Sequence, residues 1–88
     1  MKIYKYKLRI VDEQILSLPD GYKILAVNVQ RDDPFIWCLV DPDNPKVDVK
    51  FFTFGTGHEI DDTIFLNYIG TYYLLNARLV YHVFTQDG

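Results

Sequence analysis

The chain has 88 residues, a net charge of −3 and a single cysteine, so it has room for one hydrophobic core and excludes an intrachain disulfide. Its apolar fraction of 49% excludes the composition of disordered chains. No segment approaches the roughly 20 apolar residues that cross a bilayer, and the alternating N-terminus is unlike a signal peptide. We therefore expect one ordered, cytoplasmic domain over residues 1–88 with no membrane partner.

The first third of the sequence predicts three strands separated by turns. Residues 2–10 alternate apolar and basic side chains, which is the pattern of a strand with one face in water. A short strand near residues 14–18 ends at a Pro-Asp-Gly turn. Alternation resumes over residues 22–30, and the following Arg-Asp-Asp-Pro predicts another turn.

The apolar run FIWCLV at residues 35–40 predicts the middle strand of the sheet. Side chains of both parities are apolar there, as expected of a strand that is covered on both faces. Cys38 lies inside this run and is expected to behave as a small buried hydrophobe. Shared parity within the strands predicts a core composed of Leu25, Val27, Val29, Phe35, Trp37, Leu39, Phe51, Leu79 and Val83.

The second half predicts three further strands and one irregular segment. Residues 47–54 alternate and then run into the glycines of Gly-Thr-Gly. Residues 58–67 lack a period of two, which predicts either a short helical turn or an irregular crossover. Two apolar segments then flank Asn76-Ala77, which predicts a two-residue hairpin loop. Ala77 is unfavourable in such a loop, because a type I′ turn needs positive φ at both central residues.

The spacing of these elements predicts the fold class. About seven short strands, turn signals every eight to twelve residues and the lack of any helix of normal length predict an all-β fold, either a compact small β-sandwich or a partly open barrel. Aromatic residues make up 16% of the chain, more than one small core can cover. Some of them must therefore face solvent or a partner, which predicts a homo-oligomer.

The segment FGTGHEI at residues 54–60 is the stretch whose composition is most typical of a functional site. It lacks the Lys-Ser/Thr of a P-loop and the third glycine of a dinucleotide fingerprint. Its glycines predict first a turn that ends a strand. The alternative is a binding loop, in which the amides of Gly55, Thr56 and Gly57 form an anion-binding nest and Thr56 and His58 add side-chain donors.

The other reactive side chains do not assemble into a catalytic or metal site. Ser17 has no glycine elbow, and Cys38 lies in the strand expected to be most buried. No Cys or His pair has the spacing of metal ligands, and His82 is expected to be a strand histidine bonded to a neighbour. We therefore expect no enzyme, cofactor or metal, with Trp37 and His82 joining residues 55–58 as candidate binding residues.

Basic residues are concentrated at the N-terminus, where four of the nine lie in the first nine positions. Beside tyrosines they could stack bases and pair phosphates, or form a protein-binding face. Charged side chains also protect a sheet edge from unwanted pairing, and we favour this interpretation. Because the whole molecule is mildly acidic, with a pI of about 5.1, we do not expect a nucleic acid partner.

Six motifs in a fixed order make the chain similar to a known group of proteins. They are IYKYKL, LPDGYKILAVNVQ, FIWCLVDP, FGTGHEI, YIGTYYL and RLVYHVF. This ordered set resembles a family of small single-domain proteins of bacteriophages and prophages. The resemblance implies a phage accessory protein in the bacterial host cytoplasm and brings no established activity with it. Small acidic proteins of this kind are commonly inhibitors of host factors, so by association we expect inhibition of a host protein, such as a defence component, by protein–protein contact. Sequestration of a small anionic ligand, such as a nucleotide signal, by residues 55–58 is the alternative, and a minor structural role in the virion is a third possibility.

Overall fold

The computed structural model describes residues 1–86, which form seven strands and no helix. Every strand pairing is antiparallel, and the strands form a three-stranded sheet of order β1-β4-β3 and a four-stranded sheet of order β2-β5-β7-β6. The predicted all-β class and number of strands are confirmed. The strands are β1 (Lys2–Lys7), β2 (Glu13–Pro19), β3 (Lys23–Gln30), β4 (Asp33–Val40), β5 (Lys46–Gly55), β6 (Leu66–Leu74) and β7 (Leu79–Gln86).

The two sheets pack face to face around one core, as in a β-sandwich. The Cα atoms span 39 × 34 × 16 Å, and the shortest dimension is that of two layers about 10 Å apart. Burying a large apolar side chain in this layer stabilises the fold by roughly 1.5–3 kcal/mol. Both sheets contribute to the buried cluster, which consists of Leu8, Leu18, Ile36, Cys38, Val40, Val49, Phe51, Tyr72 and Val83.

Strand β4 is central in its sheet, as predicted, but the side that it buries is the opposite of the predicted one. Its even-numbered residues face the core, including Cys38, and burial raises the pKa of that thiol to about 11. The predicted core residues Phe35, Trp37 and Leu39 lie half-buried on the outer face. Both parities of the strand are apolar, so its own pattern does not distinguish the inner face from the outer one.

A β-bulge in β3 explains a second error in the predicted core. The register shifts between Ile24 and Ala26, which leaves Leu25 as an extra residue that is 45% exposed. Beyond the bulge the parity changes, so Val27 and Val29 return to the inner face and pack against the core together with Ile24. Leu25 is therefore wrongly predicted, although the alternation that suggested it is genuine on either side of the bulge.

The two sheets approach most closely where β3 meets β6. A Cβ atom at Gly70 would lie 2.7 Å from the Cβ of Val27, so only glycine permits this contact. Gly70 follows a second register shift, which lies between Tyr68 and Gly70 in β6. Bulges bend a strand and increase its twist, and these two lie on the strands that join the sheets. The other edge strands, β1 and β2, form the opposite side of the sandwich.

A two-residue hairpin loop joins β3 to β4, and it contains no glycine. Arg31 and Asp32 have φ angles of 53° and 68° and lie between the paired residues Gln30 and Asp33. Positive φ at both central positions is the requirement of a type I′ turn, whose twist matches that of the strands. The loop therefore places the exposed Arg31 at one end of the three-stranded sheet.

The loop between β6 and β7 has four residues, so the predicted two-residue loop at Asn76-Ala77 is wrong. Leu74 pairs with Leu79, and residues 75–78 lie between them. Three consecutive residues other than glycine, 75–77, have φ angles between 52° and 67°. Leu79 was predicted in the core, but it lies at the base of this loop and is 39% exposed.

Tyr72 brings an unpartnered hydroxyl into the core. The residue is buried, and its hydroxyl makes no hydrogen bond to any described part of the chain. Burial raises the pKa of Tyr72 to about 12, and the Tyr81 hydroxyl contributes in the same direction. The two rings lie 5.4 Å apart between centroids, so the Tyr72 ring packs well although its hydroxyl does not. A buried polar group without a partner costs about 1–3 kcal/mol.

We expect Ala77→Gly to raise the free energy of unfolding by about 0.5–1 kcal/mol, because glycine removes the strain of a left-handed alanine. Urea unfolding measures the change. The matched control is Ala26→Gly, which follows the bulge of β3 and does not have a positive φ, so glycine should instead lower stability there by about 0.5–1 kcal/mol. Equal effects of the two substitutions would contradict the strained loop.

We expect Tyr72→Phe to raise the free energy of unfolding by roughly 1 kcal/mol, because it keeps the packed ring and removes the unpartnered hydroxyl. The same urea experiment applies, with the midpoint compared at constant slope. A loss of stability would show that the hydroxyl is hydrogen-bonded in the folded protein.

Candidate functional site

The structure brings together five of the six candidate binding residues. Residues 55–58 form the turn that ends β5, and His82 lies beside them on β7, opposite Phe54. Trp37 belongs to β4 in the other sheet. The segment from 56 to 65 is an irregular crossing to β6, which is one of the two forms that the sequence predicted.

The two glycines of the turn have different surroundings. Gly57 has a φ of +89°, which other residues rarely adopt. A Cβ atom at Gly55 would lie 2.8 Å from Cε1 of His58, so the imidazole packs directly on the Gly55 backbone. The Gly55 amide donates to Nδ1 of His58 over 3.3 Å, and the His58 amide donates to the Gly55 carbonyl over 3.1 Å. The predicted strand-ending turn is confirmed.

His82 has a hydroxyl partner at each ring nitrogen. Nε2 lies 2.8 Å from Oγ1 of Thr56, and Nδ1 lies 3.0 Å from Oγ1 of Thr71. The Tyr68 hydroxyl is in turn 2.5 Å from Thr71 Oγ1. Hydroxyls both donate and accept, so they satisfy either tautomer of the ring. The prediction of a strand histidine bonded to its neighbours is confirmed, and the chain Thr56–His82–Thr71–Tyr68 connects the turn to β6 across β7.

Most polar groups of the turn are already paired within the chain. Besides the bonds between Gly55 and His58, the Thr56 amide donates to the Val80 carbonyl over 3.3 Å. Two of the three amides proposed for an anion-binding nest, those of Gly55 and Thr56, are therefore not free. The Thr56 hydroxyl is bonded to His82. Ligand binding by this turn stays a prediction.

Arg78 is a neighbour of the turn that sequence reasoning missed. A shallow pocket of about 200 Å³ is lined by the turn and by the start of β7, including Thr56, His58, Arg78 and Tyr81. Because β7 pairs with both β5 and β6, the β6–β7 loop lies at the same end of the sheet as the turn. More than 20 positions separate Arg78 from Thr56, so no local pattern indicates this proximity.

Trp37 lies on the outer face of the three-stranded sheet, where the described chain packs no other strand over it. Directly opposed residues of an antiparallel pair share a face, which places Lys5 of β1 and Ala26 of β3 on either side of Trp37. The Phe35 ring lies 6.0 Å from the indole, at a tilt of 56°. The half-buried indole is therefore held in place by its own sheet and remains accessible from outside.

The lysines of β1 reach across this outer face. Lys5 donates to the Gln30 side chain over 2.8 Å and lies 4.6 Å above the centroid of the Phe35 ring. Lys7 forms an ion pair with Asp33 at 3.4 Å. Because β1 is an edge strand, these contacts agree with edge protection. They also extend the basic character of β1 over the aromatic side chains of β4.

Two further cations lie around the same face. Lys23 of β3 is opposite Leu39, beyond Trp37 along the sheet. Arg31 comes from the type I′ turn and lines a pocket of about 350 Å³, together with Lys5, Asp33 and other side chains. The side chains directed outward from this sheet thus carry more positive than negative charge, although the protein as a whole has a net charge of −3.

The outer face of the four-stranded sheet carries a row of aromatic rings that the sequence did not reveal. Phe52 and Phe54 stack with centroids 6.4 Å apart, Phe54 meets Phe84 edge-on at 5.8 Å, and Phe84 meets Tyr68 at 5.5 Å. The row crosses β5, β7 and β6 and ends at Tyr68, which is 60% exposed. The alternation along a strand indicates which face each residue occupies, but it does not indicate which strands are neighbours. The row of rings can therefore be recognised only once the strand pairing is known.

Asp61, which follows the turn, is hydrogen-bonded to Thr63. Asp61 accepts hydrogen bonds from the hydroxyl and the amide of Thr63, at 2.6 and 2.9 Å, and these bonds lower the pKa of its carboxyl group. Across residues 1–86 no group of three or more His, Cys, Asp and Glu side chains is arranged to hold a metal ion. The same part of the chain has no helix long and apolar enough to cross a membrane.

The chain belongs to the family described as a domain of unknown function (DUF7352), whose family model matches residues 1–88. No curated protein and no solved structure matches the chain significantly. The family description states no activity, ligand or partner.

We expect Gly55→Ala to lower the free energy of unfolding by about 0.5–1.5 kcal/mol, because the added methyl group displaces the exposed His58 ring and breaks its hydrogen bond with the Gly55 amide. In a His58→Ala background the same change should cost much less, since the overlapping ring is absent. Urea unfolding of the wild type, the two single variants and the double variant gives the coupling energy. Purely additive effects would show that His58 does not pack on Gly55.

Proposed function

We propose that this DUF7352 protein is a non-enzymatic binding protein that holds an acidic protein partner against the outer face of its three-stranded sheet. The observation that carries the proposal is Trp37, which lies beside Phe35 and between Lys5 and Ala26 on a face left uncovered by residues 1–86. Aromatic side chains near the centre of a patch contribute most of the binding energy in protein interfaces, and tryptophan is prominent among them.

Charge complementarity supports an acidic partner. Lys5, Lys23 and Arg31 surround the aromatic side chains, whereas Asp33 is already paired with Lys7. Complementary potentials steer association and suppress wrong partners. A surface that presents carboxylates to these cations and an apolar side chain to the indole matches the chemistry of the face.

A protein fits this face better than a nucleic acid. The cations are few, and Lys7 is neutralised by its ion pair with Asp33. Lys5 covers the Phe35 ring, which occupies a surface on which a base would stack. The net charge of −3 adds a general repulsion of phosphate backbones.

The environment of the reactive side chains favours binding over catalysis. Cys38 is buried and its pKa is raised to about 11, so the thiolate that would act as a nucleophile is disfavoured. Both nitrogens of His82 are engaged by threonine hydroxyls. The bonds made within residues 55–58 likewise leave that turn fewer groups for a ligand, which favours the Trp37 face over ligand sequestration by the turn.

We place this binding in the bacterial cytoplasm, as the work of a phage or prophage accessory protein that inhibits a host protein such as a defence component. The support is the ordered set of motifs from IYKYKL to RLVYHVF and the resemblance that it carries. A preformed sheet face suits an inhibitor, because such a surface loses little conformational entropy on binding.

The test compares three immobilised proteins exposed to the same bacterial lysate: wild type, Trp37→Ala and Phe65→Ala. We expect a protein retained by the wild type and by Phe65→Ala but reduced at least about tenfold on Trp37→Ala, since loss of a central aromatic side chain costs more than 1 kcal/mol. Phe65 is the matched control because it is 84% exposed and lies outside the strands.

The retained protein is then purified and titrated calorimetrically against wild type and against Lys5→Glu/Lys23→Glu. Reversing the charge of two lysines should lower the affinity for an acidic partner below that of the wild type. It should also reduce the salt dependence of binding. The proposal fails if retention does not depend on Trp37, if nuclease treatment of the lysate abolishes it, or if the charge reversal strengthens binding.

A further inference from the structure

We propose that the opposite face of the sandwich, the outer face of the four-stranded sheet, is an interface with a second copy of this chain, giving a two-fold symmetric dimer. This goes beyond the proposed partner, because it assigns a different surface to a different occupant. The surface, called here the β6–β7 face, consists of outward side chains of β6 and β7 with the adjoining rings of β5: Phe54, Tyr68, Thr71, Tyr73, Val80, His82 and Phe84.

The charge of this face suits a second copy. None of these seven side chains is an aspartate, glutamate, lysine or arginine. Charged side chains of the same sheet lie beside it, toward β2, where Lys50 covers the Phe52 ring and forms an ion pair with Glu13 at 3.4 Å. In a two-fold interface the same patch lies on both subunits, so a residue near the axis meets its own counterpart. An uncharged patch meets itself without like-charge repulsion. The Trp37 face, by contrast, would bring Lys5 and Lys23 of the two copies together, which is unfavourable.

The surface area of the subunit also favours association. A monomer of 10.4 kDa typically exposes about 5,400 Å², whereas this flat subunit exposes 6048 Å². The excess of about 650 Å² is comparable with the roughly 800 Å² that each partner buries in a standard interface. Pairing through one broad face buries surface on both flat subunits and leaves the narrow edges in solvent.

Two tyrosines provide the anchors of the interface. Tyr68 is 60% exposed and Tyr73 is 57% exposed, both on the β6–β7 face. The hydroxyl of Tyr68 is bonded to Thr71, which is bonded to His82, and the ring is packed edge-on against Phe84. The ring is therefore already fixed before association, so burying it costs little additional conformational entropy.

The dimer directs both Trp37 faces outward, because the two outer faces lie on opposite sides of one sandwich. Each dimer then presents two identical basic and aromatic surfaces. A partner that is itself oligomeric would be held at two points, which raises the effective affinity without new contacts. The uncharged β6–β7 face is therefore suited to self-association, and the basic Trp37 face is suited to the partner.

The test measures mass by sedimentation equilibrium and light scattering from micromolar to millimolar concentration. We expect the wild type to reach twice the 10.4 kDa subunit mass. Tyr68→Lys and Tyr73→Lys should each raise the dimer dissociation constant at least about tenfold, because each places an unpaired charge in an apolar interface. Tyr73→Lys is the safer variant for folding, since Tyr68 also holds Thr71, and circular dichroism verifies that both variants are folded.

The matched control is Ile3→Lys, an equally exposed apolar residue on β1 of the other sheet, which should remain dimeric. A wild type that stays at 10.4 kDa throughout the range overturns the proposal. So does a dimer that Tyr73→Lys leaves intact, or one that Ile3→Lys dissociates, because the interface would then lie elsewhere. Partner retention is measured separately on Trp37→Ala, so failure of either proposal is recognised independently of the other.

Discussion

The contact between Gly70 and Val27 is the constraint on which the rest of this structure depends. A single added methyl group at Gly70 would lie 2.7 Å from the Val27 side chain, so β6 and β3 meet at a distance that only glycine allows. Bulges in both strands flank the contact and bend them toward each other. Once these two strands are joined, the inner face of each sheet is determined, and so are the two outer faces.

The central position of β7 in the larger sheet determines the surroundings of the Gly-Thr-Gly-His turn. Because β7 pairs with both β5 and β6, His82 lies between Thr56 and Thr71 and is hydrogen-bonded to both. The same pairing aligns Phe54, Phe84 and Tyr68 into one row of rings. Thr56, one of the side chains that made this turn resemble a ligand-binding loop in the sequence, is therefore hydrogen-bonded to the sheet through His82.

The two outer faces differ in charge while both are aromatic. One combines Trp37 and Phe35 with lysines, and the other combines phenylalanines and tyrosines with a neutral hydrogen-bonded chain. A sandwich of two sheets has only one core, so the aromatic side chains beyond its capacity must occupy these faces. The lysines of β1 protect the edge of the sheet, and the same side chains make the Trp37 face basic.

The sequence by itself determined the all-β class, the seven strands and the turn at Gly55, because strand parity and turn chemistry are local properties. Tertiary structure alone decided which face of β4 is buried, since both parities of that strand are apolar and only packing against the other sheet selects one. It also decided the exposure of Leu25, which depends on a bulge, and the position of Arg78 beside His58, which depends on strand pairing. Bulges and pairings are set by contacts between residues far apart in the chain, and no local pattern records them.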